Sequence, residues 1–340
     1  MFHIIIINEL INKLINGLIN DIIKIFKRIT FVLNSCFIIF TELTLFTINQ
    51  DYSQFIDNLT CRLSLINILY VKLFQAIALN NNLIDETMNN KLLKFTDNVP
   101  WSYSDIKIYE LIEISNKYNI RFENGYDSPI NSGMISLVFK GILIETNTPV
   151  IIKMKRKNIE QQLKDAIDNL KFLINILEWF TIFNKYNICE LINKNIVIIT
   201  TQTNFKKEIE NIIKIKENCK NIKYVKIPEV YSHVTEEYDD FIMMEYINGL
   251  KINQIEEIDY EGFAKQVMKF GFVTTIVHGV THGDLHSGNI LFIKDENDEK
   301  YKYKIGVLDF GIIYELDNEY KVSLFELLRM IVFSVSFFYD

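Results

Sequence analysis

Two aspartates and an asparagine stand at separations that suit phosphoryl transfer. Asp284 and Asn289 lie within Thr281-His-Gly-Asp-Leu-His-Ser-Gly-Asn-Ile290, and Asp309 follows in Val307-Leu-Asp-Phe-Gly311. Moving the γ-phosphoryl group of ATP asks little covalent chemistry of a protein. It needs a carboxylate that orients or deprotonates the acceptor, and oxygen ligands that hold Mg²⁺ against the phosphates. Asp284 fits the first task; Asn289 and Asp309 fit the second. An isolated Asp-Phe-Gly is usually a solvated turn, and its position just after the Asp/Asn loop is what lifts it above that reading. Gly288 is expected to ease the tight turn between carboxylate and amide. His282 is expected to pack against the metal-binding turn, and His286 receives no role.

Upstream segments would have to deliver the nucleotide. Asn131-Ser-Gly-Met-Ile-Ser-Leu-Val-Phe-Lys-Gly141 keeps the spacing of a phosphate-covering loop. Gly133 and Val138 are in place, while Asn131 and Ser136 stand where glycines are usual; a plain β-hairpin would read the same way. Val150-Ile-Ile-Lys153 then supplies a strand lysine fit to grip the α- and β-phosphates, with an exposed strand-end lysine as the simpler alternative. Such a lysine needs a carboxylate to hold it extended. Glu208 in Phe205-Lys-Lys-Glu-Ile-Glu-Asn211 is the choice and Glu210 the fallback, since on a helix the two point to different faces. Phe241-Ile-Met-Met-Glu-Tyr-Ile-Asn-Gly249 reads as an apolar strand entering a hinge, with Glu245, Tyr246 and Ile247 placed for adenine; a merely buried strand fits as well. Loop, lysine, hinge, catalytic loop and metal-binding turn follow one another in the order of protein kinases.

The supporting elements are legible more coarsely. A chain of 340 residues, 49% hydrophobic, can bury a substantial core. Its net charge of -7 argues against nucleic acid as a partner, because phosphate contacts need clustered Lys and Arg, and the basic run Lys153 to Lys157 is too short to reverse that. Cys36, Cys61, Cys189 and Cys219 are far apart, lack zinc spacing, and are expected to be buried thiols in a reducing compartment. Apolar pairs recur every four residues from Leu10 to Phe26, predicting an amphipathic helix that covers part of its own domain, a partner or a membrane surface. Phe31 to Ile48 is apolar, but Asn34 and Glu42 weigh against a spanning helix. No cleavable signal peptide is apparent, and Glu9 and Asp21 weaken a mitochondrial leader. The chain is thus expected to be intracellular, cytoplasmic or peripheral on a membrane, and not secreted. Residues 52–120 read as helical, with a break at Asp97-Asn-Val-Pro100. Strands are expected at Ile135 to Phe139, Val150 to Met154, Ile196 to Thr201 and Phe241 to Tyr246, forming an antiparallel sheet with inserted helices. From Tyr260 helical patterning returns. The expected domains are an apolar helical segment at 1–50, a helical extension at 51–125, a sheet-bearing N-lobe at 126–250 and a shortened helical C-lobe at 251–340.

From about Tyr70 onward the chain resembles the UbiB/ADCK family of atypical protein-kinase-like proteins. His282-Gly-Asp-Leu-His-Ser-Gly-Asn289 is similar to that family's H-x-D-x-H-P-G-N, with Ser287 in place of proline. Phe205 to Asn211 is similar to its F-R-x-E-A-x-N segment, and Leu92 to Pro100 to its L-x-x-L-Q-D-x-V-P. The resemblance implies an α+β protein-kinase-like fold with a small antiparallel N-lobe sheet, a helical C-lobe and a helical N-terminal extension. It also implies ATP and Mg²⁺ as cofactors, and kinase or ATPase activity linked to quinone or lipid metabolism. The acceptor would be a small molecule, a lipid or a protein. There are departures. The family's K-x-G-Q stands here as Lys72-Leu-Phe-Gln75, and its E-x-D pair as Gln202-Thr-Asn204. Lys72 is therefore expected to lack the family's carboxylate partners and to move outward or contact the nucleotide; an ordinary surface lysine is the alternative. Asn131-Ser-Gly133 replaces the family's alanine-rich loop, so nucleotide binding is expected to persist while the family's autoinhibitory arrangement weakens. Only 29 residues follow Gly311, without an A-P-E segment, so a protein-substrate platform is expected to be absent. Two other readings stand beside this one: a small-molecule phosphotransferase of the aminoglycoside or choline type, and a non-catalytic nucleotide-binding pseudokinase.

Overall fold

The computed structural model describes residues 2–78, 91–92, 99–177, 179, 196 and 199–337. Cys189, residues 93–98 of the Leu92 to Pro100 segment, and residues 197 and 198 lie outside them. The chain divides into a helical unit, Met1–Val99 with Asn158–Val197, and a second unit, Pro100–Lys157 with Ile198–Asp340. Helices α1 (Phe2–Asn49), α2 (Tyr52–Ile66) and α3 (Leu69–Ala78) come first. Helix α4 (Ile108–Lys117) precedes the main sheet, and α5 (Ile159–Leu177) and α6 (Phe205–Cys219) interrupt it.

In the helical unit, the predicted amphipathic helix and the apolar stretch after it form one continuous helix, α1. Residues Lys27 to Thr30 contain no Pro or Gly to break it. The chain turns only at Gln50, in a left-handed conformation (φ 53°), after which Asp51 caps α2 by accepting the Gln54 N–H at 2.9 Å. The two halves of α1 differ. Ile15, Leu18, Ile22, Ile25, Phe26 and Ile29 are all exposed, so this stretch does not cover its own domain as one sequence expectation held. From Phe31 onward a stripe at helical spacing, Phe31, Ser35, Ile38 and Glu42, is buried. Glu42 is paired with Arg62 Nη1 at 2.5 Å, which satisfies a carboxylate that could not otherwise be buried. Ile38 joins Ile56, Leu63, Val71, Phe74 and Leu92 in the core of this unit. Phe74, which stands where the related motif has glycine, is a core side chain stacked on Tyr70. By length and composition the stretch Ile15–Asn49, of mean hydropathy 1.8, could cross a membrane. Cys36 and Cys61 are exposed, against expectation. Cys219 alone of the described cysteines is buried, and burial pushes its thiol up to about 11.

The second unit is built on an antiparallel sheet of β1 (Ile120–Phe122), β2 (Asn131–Ser132), β3 (Ser136–Leu143), β4 (Thr148–Lys155) and, after the short β5 (Val225–Lys226) and helix α7 (Ser232–Glu237), β6 (Phe241–Glu245). The order is β1-β3-β4-β6, with β2 on β3. Alternation sends Leu137, Phe139, Val150, Ile152, Met154, Phe241 and Met243 into one core with Leu111 and Ile114 of α4. At Gly141 a Cβ would come within 2.6 Å of Ile120, so β1 closes on β3 only because that position has no side chain. The described residues of the expected strand Ile196 to Thr201 are helical instead; a short apolar run does not fix its own period, and here helical contacts win. The remainder carries α8 (Tyr260–Phe272), the ribbon of β7 (Val280–His282) with β10 (Ile313–Glu315), the hairpin of β8 (Ile290–Lys294) with β9 (Tyr303–Val307), and α9 (Asn318–Phe337). Phe263, Phe270, Ile290, Phe292, Ile305, Val307 and Phe310 form its core with Ile212 and Ile215 of α6.

Candidate active site

Because Ile152 and Met154 enter the core, Lys153 must face the other side of β4. There it stands in register with Val138 on β3 and Ile242 on β6. Its Nζ donates to Glu208 Oε1 at 2.6 Å and to Asp309 Oδ2 at 2.8 Å. Glu208 is delivered by the first turn of α6, which begins where Asn204 accepts the Lys207 N–H. Glu210, the fallback, points outward and pairs with Lys207.

One ammonium thus serves two carboxylates inside the protein. Burial opposes the charge on Lys153, but Asp309 and Glu208 outweigh it and hold its pKa above the ordinary lysine range. Burial also opposes ionisation of Asp309, yet Lys153 and the Gly311 N–H, which donates to Oδ1 at 2.9 Å, hold it well below the usual carboxylate range. Glu208 bears the cost: burial, working against Lys153 and with the nearby Asp309 charge, pushes it up to about 7.

The turn at Asp309–Gly311 and the loop from Asp284 to Asn289 are tied together by His282. Its Nδ1 accepts the Asp284 N–H at 3.1 Å, so the ring proton sits on Nε2 and is donated to the Asp309 carbonyl at 2.5 Å. The ring also packs on Phe310, with centroids 5.4 Å apart. Burial holds its pKa below the ordinary value, which keeps it a neutral strut. Asn289 Nδ2 donates to the Asp284 carbonyl at 2.9 Å, which leaves Oδ1 for a cation. Leu308 N–H donates to the Asn289 carbonyl at 3.0 Å and binds the loop to the end of β9. Gly288 does not use the conformational freedom expected of it. The left-handed glycines among the described residues are Gly125 and Gly279, and the turn Ser287–Asn289 is a single 3-10 turn whose Gly288 N–H donates to His286 Nδ1 at 3.1 Å. His286, to which the sequence assigned nothing, therefore closes the loop, and its Nε2 lies 3.9 Å from Asp284 Oδ1.

Mg²⁺ takes hard oxygen ligands, and the Asn289 carbonyl and Asp309 carboxylate are of that kind. The described His, Cys, Asp and Glu residues form no self-sufficient metal cluster. The segment expected to cover the phosphates is a tight turn between β2 and β3, closed by Gly133 N–H donating to the Ser136 carbonyl at 2.9 Å, with Ser136 buried and Val138 half-buried on the Lys153 face. At the hinge, the side chain of Glu245 is taken by Lys226 at 2.7 Å, and Tyr246 carries Lys140 over its ring. What this segment offers a base is backbone, beside the buried Ile247. A cavity of about 550 Å³ lined by Lys140, Pro149, Tyr246, Asn248, Ile293 and Lys304 lies beside the hinge. It includes none of Lys153, Asp284, Asn289 or Asp309 and no carboxylate, so it is not where Mg²⁺ chemistry would occur. Lys72 stands half-buried on α3 in the helical unit.

Two contributors escaped the sequence. Asn211 Nδ2 donates to the Phe310 carbonyl at 2.8 Å, so α6 fixes the Asp309–Gly311 turn as well as Lys153. Its signal was the final position of the Phe205 to Asn211 segment. Gln202, which replaces an acid of the related E-x-D pair, places Cγ 3.7 Å from where a Gly311 Cβ would be, and its Oε1 is buried without a hydrogen-bond partner among the described residues.

Residues 94–334 match the family described as the ABC1 atypical kinase-like domain. A probable protein kinase UbiB of Shewanella sp. (strain W3-18-1) is 25% identical over 265 residues, covering 76% of this chain and 48% of that protein. An uncharacterized protein encoded in the hydrogenase 1 5' region of Clostridium pasteurianum is 27% identical over 261 residues, 75% of this chain and 47% of its own. The chain thus spans about half the length of the curated relatives it matches. Among solved structures, an erythromycin complex of a Mycobacterium tuberculosis protein is similar over 82% of this chain and 67% of its own, at 16% identity and TM-score 0.48. The Rio2 kinase of Chaetomium thermophilum, solved with ADP, Mg²⁺ and phosphoaspartate, is similar over 74% of each chain at 12% identity and TM-score 0.34.

Proposed function

Since the chain belongs to the ABC1 atypical kinase-like family, we propose that it binds ATP with Mg²⁺ and transfers the γ-phosphoryl group to a hydroxyl or to water. The observation that carries this reading is the Lys153 bridge to Glu208 and Asp309 at 2.6 and 2.8 Å. It supports Lys153 as the cation that grips phosphate and Asp309 as the carboxylate that holds the metal, on a kinase-like fold. Asn289 and Asp309 would hold Mg²⁺, which would supply neutralisation of charge on the phosphates. Asp284 takes the acceptor proton as the new P–O bond forms and the bond to the ADP oxygen breaks. With water as acceptor the result is ATP hydrolysis. A hydroxyl on a small or lipid-linked molecule makes the protein a kinase, and the relatives' name as probable protein kinases adds a protein hydroxyl to that class.

The pH profile of ATP turnover tests both the function and the role of Glu208. Its folded pKa of about 7 lies above the ordinary carboxylate value, so the charged form that holds Lys153 is present only above that pH. We expect kcat/KM to fall as pH drops through 7, and Glu208→Gln to run slower throughout while lacking that acid limb. Absence of ATP turnover at every pH would sink the enzymatic reading. An unchanged limb in Glu208→Gln would sink only the role of Glu208.

The exposed apolar residues of α1 support association with a membrane, which would also suit a lipid-linked or quinone-like acceptor. The purified protein is expected to float with phospholipid vesicles, and the double variant Leu18→Glu/Phe26→Glu to remain at the bottom of the gradient. A wild-type protein that sediments without lipid would end this proposal.

A further inference from the structure

The turn that would cover the phosphates is pinned from behind by a buried guanidinium. Arg156 is 5% exposed and continues the alternation of β4 onto the face opposite Lys153. Its Nε and Nη2 donate to the Gly133 carbonyl at 3.1 and 2.7 Å, and Nη2 also reaches Ser132 Oγ at 2.8 Å. Nη1 donates to the Pro100 carbonyl at 2.9 Å and to Asp105 Oδ2 at 3.1 Å. The Arg156 N–H adds a bond to the Ile135 carbonyl at 2.9 Å, and the Lys157 N–H returns to the Asp105 carbonyl at 2.8 Å. A strap of residues 100–105, one arginine and the turn are thus a single hydrogen-bonded assembly.

Its geometry has a direct consequence for the turn. In a trans peptide the N–H points opposite to the preceding C=O. A fork that holds the Gly133 carbonyl toward Arg156 therefore turns the Met134 N–H away from Arg156, and that N–H has no hydrogen-bond partner among the described residues. Phosphate-binding loops use backbone amides left open in this way. Where glycine-rich loops leave this orientation to be found on binding, here Met134 and Ile135 at the tip are buried and the peptide is already set. We propose that Arg156 is a positioning residue for polyphosphate recognition, fixing the Gly133–Met134 peptide so that its amide meets the nucleotide phosphates. This rests on the nucleotide reading above.

The test compares two ligands. Arg156→Lys keeps the charge but loses the planar fork. It is expected to weaken Mg-ATP binding by about tenfold or more while leaving adenosine, which lacks phosphates, within about twofold. Ser132→Ala, which removes one hydroxyl and strands no charge, should weaken Mg-ATP about two- to fivefold and decides the matter if Arg156→Lys does not fold. Equal losses for both ligands would reduce Arg156 to a general structural role and overturn the proposal, as would unchanged Mg-ATP affinity. A wild-type protein that binds neither ligand defeats the nucleotide reading itself. A wild type that binds both, with a ratio the variants do not move, defeats only the role of Arg156.

Discussion

Asp284→Asn should lower single-turnover phosphoryl transfer by about 10²- to 10⁴-fold, the usual contribution of a positioned general base, with little change in nucleotide affinity or melting temperature. The structure makes this a clean test. Two of the hydrogen bonds that hold the loop at this residue use its backbone: the carbonyl accepts from Asn289 Nδ2, and the N–H donates to His282 Nδ1. An isosteric amide leaves both in place. Substituting Lys153 would be less informative, because it strands Glu208 and Asp309 as facing carboxylates, and breaking a buried pair in this way costs about 3–5 kcal/mol. If wild type and Asp284→Asn both release phosphate at background rate, the protein is a nucleotide binder without chemistry. If both turn over equally fast, the base is elsewhere.

Asp309→Asn is expected to act on binding rather than on proton transfer. The carboxylate is held ionised by Lys153 and the Gly311 N–H, and it is the only anionic group of the two proposed metal ligands. Its neutralisation should reduce Mg²⁺-dependent ATP affinity by at least the ~10–100-fold that loss of even an outer-shell metal partner costs. Affinity measured in EDTA should change little. The variant should fold, since Lys153 keeps Glu208 at 2.6 Å. Removing the like charge should also let the Glu208 pKa fall from about 7 toward the ordinary range. Calorimetric titration with and without Mg²⁺ reads the effect, and equal affinities for wild type and variant in Mg²⁺ would remove Asp309 from the metal site.

What the sequence made visible was chemistry fixed by residue type at fixed spacing. The period of two in β4 put Lys153 opposite the core residues Ile152 and Met154, and the Asp284 to Asp309 interval could be read without knowing how the chain folds between them. Less was visible where one residue type serves several ends. The run Lys153 to Lys157 bears on the sequence reading only as a basic cluster too short for nucleic acid, and nothing in it shows that Lys155 and Arg156, like Lys153, are buried and paired. Net composition says nothing about which face of a strand a cation takes. Ile196 to Thr201 has strand-like residues, but β-propensity expresses fit to a pleated neighbour, and none is supplied there. The continuity of α1 was missed because a change in polarity after Phe26 was taken for a boundary, whereas helices end at caps and breakers.

The two halves of α1 give the helical unit a built-in spacer. Between Ile15 and Phe31, sixteen steps at a rise of about 1.5 Å make a rod of about 24 Å whose far end is free of its own core, while the buried stripe from Phe31 to Glu42 clamps the near end to α2 through Arg62. Anything grasped by the tip is thereby kept at a set stand-off from this unit. Shortening the rod by one turn would change the reach by about 5 Å and swing the apolar flank by only a few tens of degrees, so distance can be tuned almost independently of bearing.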